Sequence, residues 1–399
     1  MQKYILDYLK NNIKSITTNC SLPQKKAVKT IVKGLFQKGR GILRELGNTG
    51  TQIPKTVAQK LSHHIGNIEM LEPVEDFADR RIISFIDKNS VIAYDLTDIA
   101  KHSAKKIERI TTVFDGSRRK KTKGFFVHGV GVGKFLWRLR LHDNTCDFLP
   151  NIRKSILKKL ITLTKEKMPI FAFDRGNDDK QLFEYLDDNN ARFIVRIKSN
   201  RKFILKETGE CLSVRDIPQG RHSVLLKEGN TQKKTPKYRE YELIVHKQKK
   251  TRTTPIWLLI SKNLDPRKCL SNKKITKKYL QRWGVENSFK QIKTSLNLEE
   301  IRVMKYGKFQ NFVSLMHFCS LLNELLLCKI QNNLQALSQL SLITIFLEYK
   351  KFIKRYYLDI NSHSFCSFLK HFFSQIRIYR KRPKKRLQIS LFTLLSGKT

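Results

Sequence analysis

The sequence predicts an α/β protein: a mixed β-sheet flanked by helices, with a β-rich insertion and helical segments at both ends. Three observations carry this reading. Between residues 90 and 197, short runs of β-branched and aromatic residues alternate with stretches of helical periodicity. From 200 to about 262 the chain is punctuated by Gly209, Gly220 and Gly229. Apolar residues return to helical spacing over 1–88 and again after 263.

Taken in order, residues 1–88 read as short helices. Tyr4, Ile5, Leu9 and Ile13, then Val28, Ile31, Val32 and Leu35, recur at helical spacing, with breaks at Gly39–Gly41 and Gly47–Gly50. Lys25, Lys26, Lys29 and Lys33 make this module a candidate DNA-binding domain, although a solvated basic face has the same pattern. Ser90–Thr97 reads as a buried strand, followed by strands over Gly124–Val132 and Phe135–Leu141. A helix fits Ile152–Lys167, a strand Met168–Phe173, a helix 178–188 and a strand Arg192–Ile197. Three strands, a helix, a strand, a helix and a strand is the layout of a ribonuclease-H-like fold, so 89–199 read as the first part of that core. The insertion, 200–262, contains strands such as Tyr241–His246 and Ile256–Ile260 and a basic edge at Lys247–Lys250 and Arg252. Residues 263–300 return to the core with one amphipathic helix, and 301–399 are helical, ending in the cationic run Arg377–Arg386.

Composition narrows the partner. The 399 residues contain 79 Lys+Arg against 34 Asp+Glu, a formal charge of +45. A codon bias toward lysine raises the cations without explaining the scarcity of acids. Self-repulsion at this charge is relieved by a polyanion, with nucleic acid first and an anionic membrane surface second. The most apolar run, Phe312–Ile330, is interrupted by His317, Asn323 and Glu324 and reads as a buried helix rather than a membrane span. The N-terminus has no signal-peptide pattern, and the seven scattered cysteines form no Cys-x-x-Cys pair, as expected of reduced thiols in the cytoplasm. Two other motifs fail. Gly129-Val-Gly131-Val-Gly133-Lys134-Phe135 looks like a phosphate loop, but that loop needs glycine at position 128 and Ser or Thr at 135, so ATP binding is rejected. His63-His64 has no metal-ligand spacing with cysteine.

The chemistry lies in four residues, Tyr279, Arg282, Glu286 and Lys293, spaced +3, +4 and +7. At about 100° per residue they share one stripe of a helix. Val285, Phe289, Ile292 and Leu296 form an apolar stripe about a quarter turn away. One carboxylate among cations and a phenol suits a metal-bound phosphate. Gly284 inside that helix costs about 1 kcal/mol relative to alanine. Asp95 ends one apolar strand, and Asp174 follows another, with Gly176 permitting a turn and Asp178 placed to cap the next helix. Singly these are ordinary turn or cap residues. Together with Glu286 they make a cage for two divalent cations.

The Tyr-Arg-Glu-Lys spacing resembles the YREK signature of the IS4-type DDE transposases. Asp95-Leu-Thr97-Asp98-Ile-Ala-Lys101, with Phe114-Asp115-Gly116-Ser117, is similar to the region around the first catalytic aspartate of that family. Phe173-Asp174-Arg175-Gly176 resembles the Asp-Arg-Gly word around its second, and the interval to Glu286 matches the family's β insertion. The likeness covers roughly residues 90–330. It implies a transposase in which Asp95, Asp174 and Glu286 are catalytic and bind two Mg²⁺, with Mn²⁺ as an alternative. Tyr279, Arg282, Lys293 and Arg175 would contact the DNA backbone. Asp98 and Asp178 are the nearest rivals of the two aspartates, and Trp257 is a candidate for gripping a flipped base. The resemblance further implies double-stranded DNA as partner (the element's terminal inverted repeats and the target), a homodimer on DNA, no membrane, and a nucleoid-associated cytoplasmic location. The same composition also fits a non-catalytic or decayed DNA-binding protein, or a nuclease on the same fold.

Overall fold

In a computed structural model of the chain, residues 2–46, 54–104, 106–228, 237–246, 255–336, 340–356, 358 and 361–374 are described. The basic runs Arg377–Arg386, Lys247–Lys250 and Arg252, together with Gly47–Gly50 and Gly229, lie outside them.

Among the described residues, five helices come first: α1 (Gln2–Ile16), α2 (Leu22–Lys38), α3 (Leu43–Leu46), α4 (Pro54–Gly66) and α5 (Leu71–Ile82). The start of α2 is fixed by Gln24, whose Oε1 accepts from the Ser21 N–H at 2.8 Å. Its end is fixed by Gly39, at φ +64°, whose N–H reaches the Leu35 carbonyl at 2.8 Å. The apolar stripe Val28, Ile31, Val32 and Leu35 is buried, while Lys26, Lys29 and Lys33 stay exposed.

The sheet contains β1 (Val91–Ala100), β2 (Thr111–Asp115), β3 (Lys120–Val132), β4 (Phe135–Leu141), β5 (Ile170–Phe173), β6 (Arg192–Arg196), β7 (Lys202–Leu205), β8 (Cys211–Ser213), β9 (Gly220–Lys227), β10 (Tyr238–His246) and β11 (Ile256–Ile260). Helices α6 (Leu149–Leu163) and α7 (Lys180–Asp188) connect β4 to β5 and β5 to β6. β1 runs antiparallel to β3 and parallel to β5, which is parallel to β6, giving the mixed core the sequence predicts. The insertion's strands continue this sheet: β11 pairs antiparallel with β6, and β10, β9, β7 and β8 follow. That pairing covers what would otherwise be an open edge of the core.

Alternation along the strands separates two packed faces. Ile92, Tyr94, Phe171, Phe173, Phe193 and Val195 enter the main core with apolar residues of α6 and α7. Val91, Ile170, Ala172, Ile194, Leu258 and Ile260 form a second cluster with Ile275 and Tyr279 of α8 (Asn272–Leu280). After α9 (Trp283–Ser295), the described residues continue with α10 (Tyr306–Ala336), α11 (Leu340–Tyr356) and α12 (Ser362–Ser374). The segment Tyr306–Ile330 of α10 is apolar enough to cross a membrane, but its most apolar window is 89% buried within the protein. It packs against β4, α5, α2 and α4, and Asn311 holds the Met70 N–H at 3.0 Å. The helical layer is also tied to the sheet by charge. Asp79 of α5 takes Arg138 and the Trp137 indole N–H (2.8 Å), while Glu75 takes Arg140 at 2.9 Å. Burial of these acids is tolerated because each has a cationic partner.

Some expectations shift. The strand β2 goes unread in the sequence, and Phe114-Asp115-Gly116-Ser117 spans the end of β2 and the start of the β2–β3 turn. There Asp115 accepts from the Ser117 N–H at 2.8 Å and its hydroxyl at 2.6 Å. Helix α6 starts three residues earlier than expected, with Pro150 in its first turn.

Glu324 of α10 is only 3% exposed and accepts from Gln291 of α9 at 3.0 Å. Burial pushes its carboxyl up to about 7 against the opposing pull of Gln291 and Lys134. The folded state therefore holds this proton more tightly than the unfolded chain. Its stabilising contribution is complete below the unfolded value and is lost as pH rises through about 7, a change on the order of 3 kcal/mol. Glu324→Gln is expected to flatten that decline in urea-unfolding stability between about pH 4 and pH 8. An unchanged slope would refute the assignment.

Candidate active site

β1 and β5 are neighbouring parallel strands, and their last paired residues are Tyr94 and Phe173. The next residue on each is a carboxylate. Asp95 and Asp174 therefore stand side by side where the β1–β5 pairing stops, on the face that carries Val91, Ile170 and Ala172. Asp174 follows the end of β5, but Asp95 does not end its strand as expected, because β1 runs on to Ala100 against β3. Helix α9 crosses the same face over β1 and β3 and brings Glu286 in from a third element.

Arg282 joins two of the three acids. Its Nη1 donates to Asp95 Oδ2 at 3.0 Å and its Nη2 to Glu286 Oε1 at 2.5 Å, with the side chain almost completely buried. Asp95 Oδ1 accepts from the Leu96 N–H at 2.9 Å, and Asp174 Oδ1 from Asn177 Nδ2 at 2.6 Å. Burial, followed by the neighbouring Asp174, pushes the Asp95 carboxyl up to about 7; Arg282 pulls it down and Glu286 adds a smaller push. Burial works against the charge of Arg282, but Tyr279, Glu286 and Asp95 outweigh it and raise its pKa. As they stand, no three His, Cys, Asp or Glu among the described residues are grouped to hold a metal ion. A guanidinium occupies the space between Asp95 and Glu286 that a cation would use. The donor set around it is entirely oxygen, which suits a hard divalent ion such as Mg²⁺.

Residues 144–322 match a family model described as "Transposase DDE domain". This segment is similar to a transposase DDE domain. The matched segment includes Asp174, Arg175, Tyr279, Arg282, Glu286 and Lys293 and begins after Asp95. Among solved structures, the chain is similar to a piggyBac transposase synaptic complex with hairpin DNA, at 9% identity and TM-score 0.39, over 88% of this chain and 63% of that one. It is also similar to the Drosophila P element transposase strand transfer complex, at 13% identity and TM-score 0.25, over 54% of each chain. The chain thus spans less than two thirds of either. No curated protein matches it.

Within the matched segment, the single signature helix expected from the spacing is two. The chain turns at Gln281–Arg282 through tight bonds, from the Arg282 N–H to the Tyr279 carbonyl (3.0 Å) and from the Gly284 N–H to the Gln281 carbonyl (3.0 Å). Tyr279 consequently lies in the last turn of α8, 2% exposed, with the Arg282 guanidinium 5.8 Å from its ring centre. Glycine at 284, a poor helix former, suits such a junction. Lys293 shares α9 with Glu286 but lies two turns on, paired with Glu299 at 3.4 Å, apart from the carboxylates. Arg175 is exposed immediately after Asp174. Trp257 is half-buried in β11, packed against the core.

The rival aspartates separate cleanly. Asp98 is three residues beyond Asp95 on β1, so its side chain leaves the opposite face. Asp178 is buried, accepting from the Lys198 N–H at 2.9 Å and from Arg201 at 2.5 Å. The cap of α7 is Asp179 instead, which accepts from the Gln181 N–H at 3.1 Å. Asp178→Ala leaves the partly exposed Arg201 and the Lys198 N–H without their acceptor and is expected to cost about 1–3 kcal/mol in chemical denaturation. A change below about 1 kcal/mol would contradict that structural role.

The sequence reading missed one feature of the site. Asp95 and Asp174 line a cleft of about 720 Å³ together with Arg153, Lys180, Lys198 and Arg201. These cations come from separate segments of the chain, so no local motif signals them. Asp179 and Asn177 already engage Arg153, and Asp178 engages Arg201.

Proposed function

We propose that this chain is a DDE transposase that binds the terminal inverted repeats of its element, cleaves a strand at each end and joins the released 3′ ends to target DNA. The observation that carries the reading is the Arg282 guanidinium ion-paired to both Asp95 and Glu286, with Asp174 at the adjoining strand end. Carboxylates distant in the sequence converge in a chain that is otherwise overwhelmingly cationic.

Asp95, Asp174 and Glu286 would hold two Mg²⁺, with Mn²⁺ able to substitute. Bound there, the cations acidify the attacking water or 3′-hydroxyl and offset charge on the leaving oxygen. For that, Arg282 has to release the two carboxylates. A phosphodiester is the natural receiver of its planar fork, because guanidinium binds phosphate oxygens in pairs. Lys293 and the exposed Arg175 add positive charge along the strand, and the buried Tyr279 ring supports Arg282 from behind. Lys180 and Lys198 would draw a second DNA segment into the cleft, while Lys26, Lys29 and Lys33 of α2 take flanking duplex. Processing two ends together calls for a homodimer on DNA.

A duplex carrying the inverted repeat that flanks the gene tests the reading. Incubated with the protein and Mg²⁺, it should be nicked at the repeat boundary and then joined to a second duplex. Nicking without joining would mark a nuclease. Binding without nicking would mark a non-catalytic DNA-binding protein.

A further inference from the structure

The run Gly129-Val-Gly131-Val-Gly133, rejected as a phosphate loop, has a role in the sheet. Pairing of β3 with β1 sets Gly129 opposite Asp95 and Gly131 opposite Ala93. The alternation places these glycines on the face that carries Asp95, where α9 lies. A Cβ built at Gly129 would overlap the Phe289 ring atoms Cε1 and Cζ. One at Gly131 would stand 3.1 Å from Val285 Cβ and 3.2 Å from Val285 Cα, and one at Gly284 would stand 2.5 Å from the Gly133 carbonyl oxygen. Neither Gly129 nor Gly131 has a positive φ, so space rather than backbone freedom demands glycine there. Glycine inside a strand weakens it, and a common reason for keeping it is close approach of another backbone.

We propose that Gly129, Gly131 and Gly284 are positioning residues of the active site. Gly129 and Gly131 leave a side-chain-free channel in the sheet, and Gly284 lets the start of α9 approach the Gly133 carbonyl, so that the helix is seated at the depth where Glu286 would share a cation with Asp95. Val285, the residue resting over Gly131, directly precedes Glu286, so the channel floor sets the height of that carboxylate. The demand is sharp because Mg²⁺ tolerates little departure from octahedral geometry. The inference rests on the assignment of Asp95, Asp174 and Glu286 as cation ligands.

The test measures Mn²⁺ binding to the full chain by titration calorimetry, alongside thermal unfolding, for Gly129→Ala, Gly284→Ala, Gly129→Ala with Phe289→Leu, and Glu286→Gln. At a temperature well below unfolding, Gly129→Ala and Gly284→Ala should each weaken Mn²⁺ binding by roughly 10–100-fold, as groups that orient metal ligands do. Phe289→Leu should restore most of the loss at Gly129→Ala by removing the ring atoms that the new methyl meets. If Gly129→Ala does not fold, Gly284→Ala and the double variant carry the comparison. Native Mn²⁺ affinity in a folded Gly284→Ala or Gly129→Ala, or a double variant no tighter than the single, would overturn the channel. Native affinity in Glu286→Gln would instead overturn the ligand assignment on which it rests.

Discussion

Replacing Glu286 by glutamine is expected to lower Mg²⁺-dependent nicking of an element-end duplex by on the order of 10³-fold or more, equivalent to about 4 kcal/mol of transition-state stabilisation. Affinity for the duplex should change by less than about threefold, because the phosphate contacts are made by cations elsewhere. Glutamine preserves the size of the side chain and an acceptor for Arg282 while removing the charge that holds a divalent ion. The contrast with Asp98→Asn is informative. That aspartate sits on the same strand as Asp95 but faces the other side of the sheet, so its loss should leave nicking near native. Gel assays of nicking and of duplex binding on the same preparations check both. Equal nicking by Glu286→Gln would remove the residue from the mechanism.

Replacing Arg282 by methionine should have the opposite effect on cation binding. In the native chain an incoming cation competes with the guanidinium that spans Asp95 and Glu286. Without it, Mn²⁺ should bind the DNA-free protein roughly 10-fold or more tightly, while nicking falls because the phosphate contact is lost. The metal-free variant should also be less stable, since two acids are left beside Asp174 without their counter-ion, and Mg²⁺ should recover that stability. In the native protein, DNA that draws Arg282 onto a phosphate would tighten cation binding, and the cation would tighten DNA binding by the same factor. Such coupling would keep the site from accepting a cation fully until DNA is present. Calorimetric titration of Mn²⁺ with and without duplex measures it. If Arg282→Met binds Mn²⁺ no better than the native chain, the guanidinium is not a competitor.

Much of this was legible in the sequence because periodicity reports burial. The strands Phe135–Leu141 and Ile256–Ile260 were readable to the residue, and Asp174 could be placed at a strand end from the apolar run before it, whereas Asp95 lies mid-strand because pairing with β3 carries β1 on to Ala100. Other features depend on the partner of each segment. Spacing alone puts Tyr279 and Glu286 on one stripe, but the chain turns at Gln281–Arg282, where the Arg282 bond to the sheet carboxylate Asp95 and a glycine at 284 compete with a continuous helix. Strand β2 carries exposed residues at alternate positions with no long apolar run, so it offers little signal until β3 pairs with it. Capping of α7 by Asp179 rather than Asp178 turns on Arg201, a residue more than twenty positions away. The glycines of β3 carried a misleading local resemblance, and only the helix lying over them explains their spacing.

The central claim is that Asp95, Asp174 and Glu286 share divalent cations. Anomalous X-ray scattering from crystals of the protein with element-end DNA and Mn²⁺ tests it most directly. The account predicts Mn²⁺ about 2.0–2.2 Å from oxygens of all three carboxylates, with the Arg282 guanidinium moved onto a phosphate. Manganese bound elsewhere, with Arg282 still bridging Asp95 and Glu286, would contradict it.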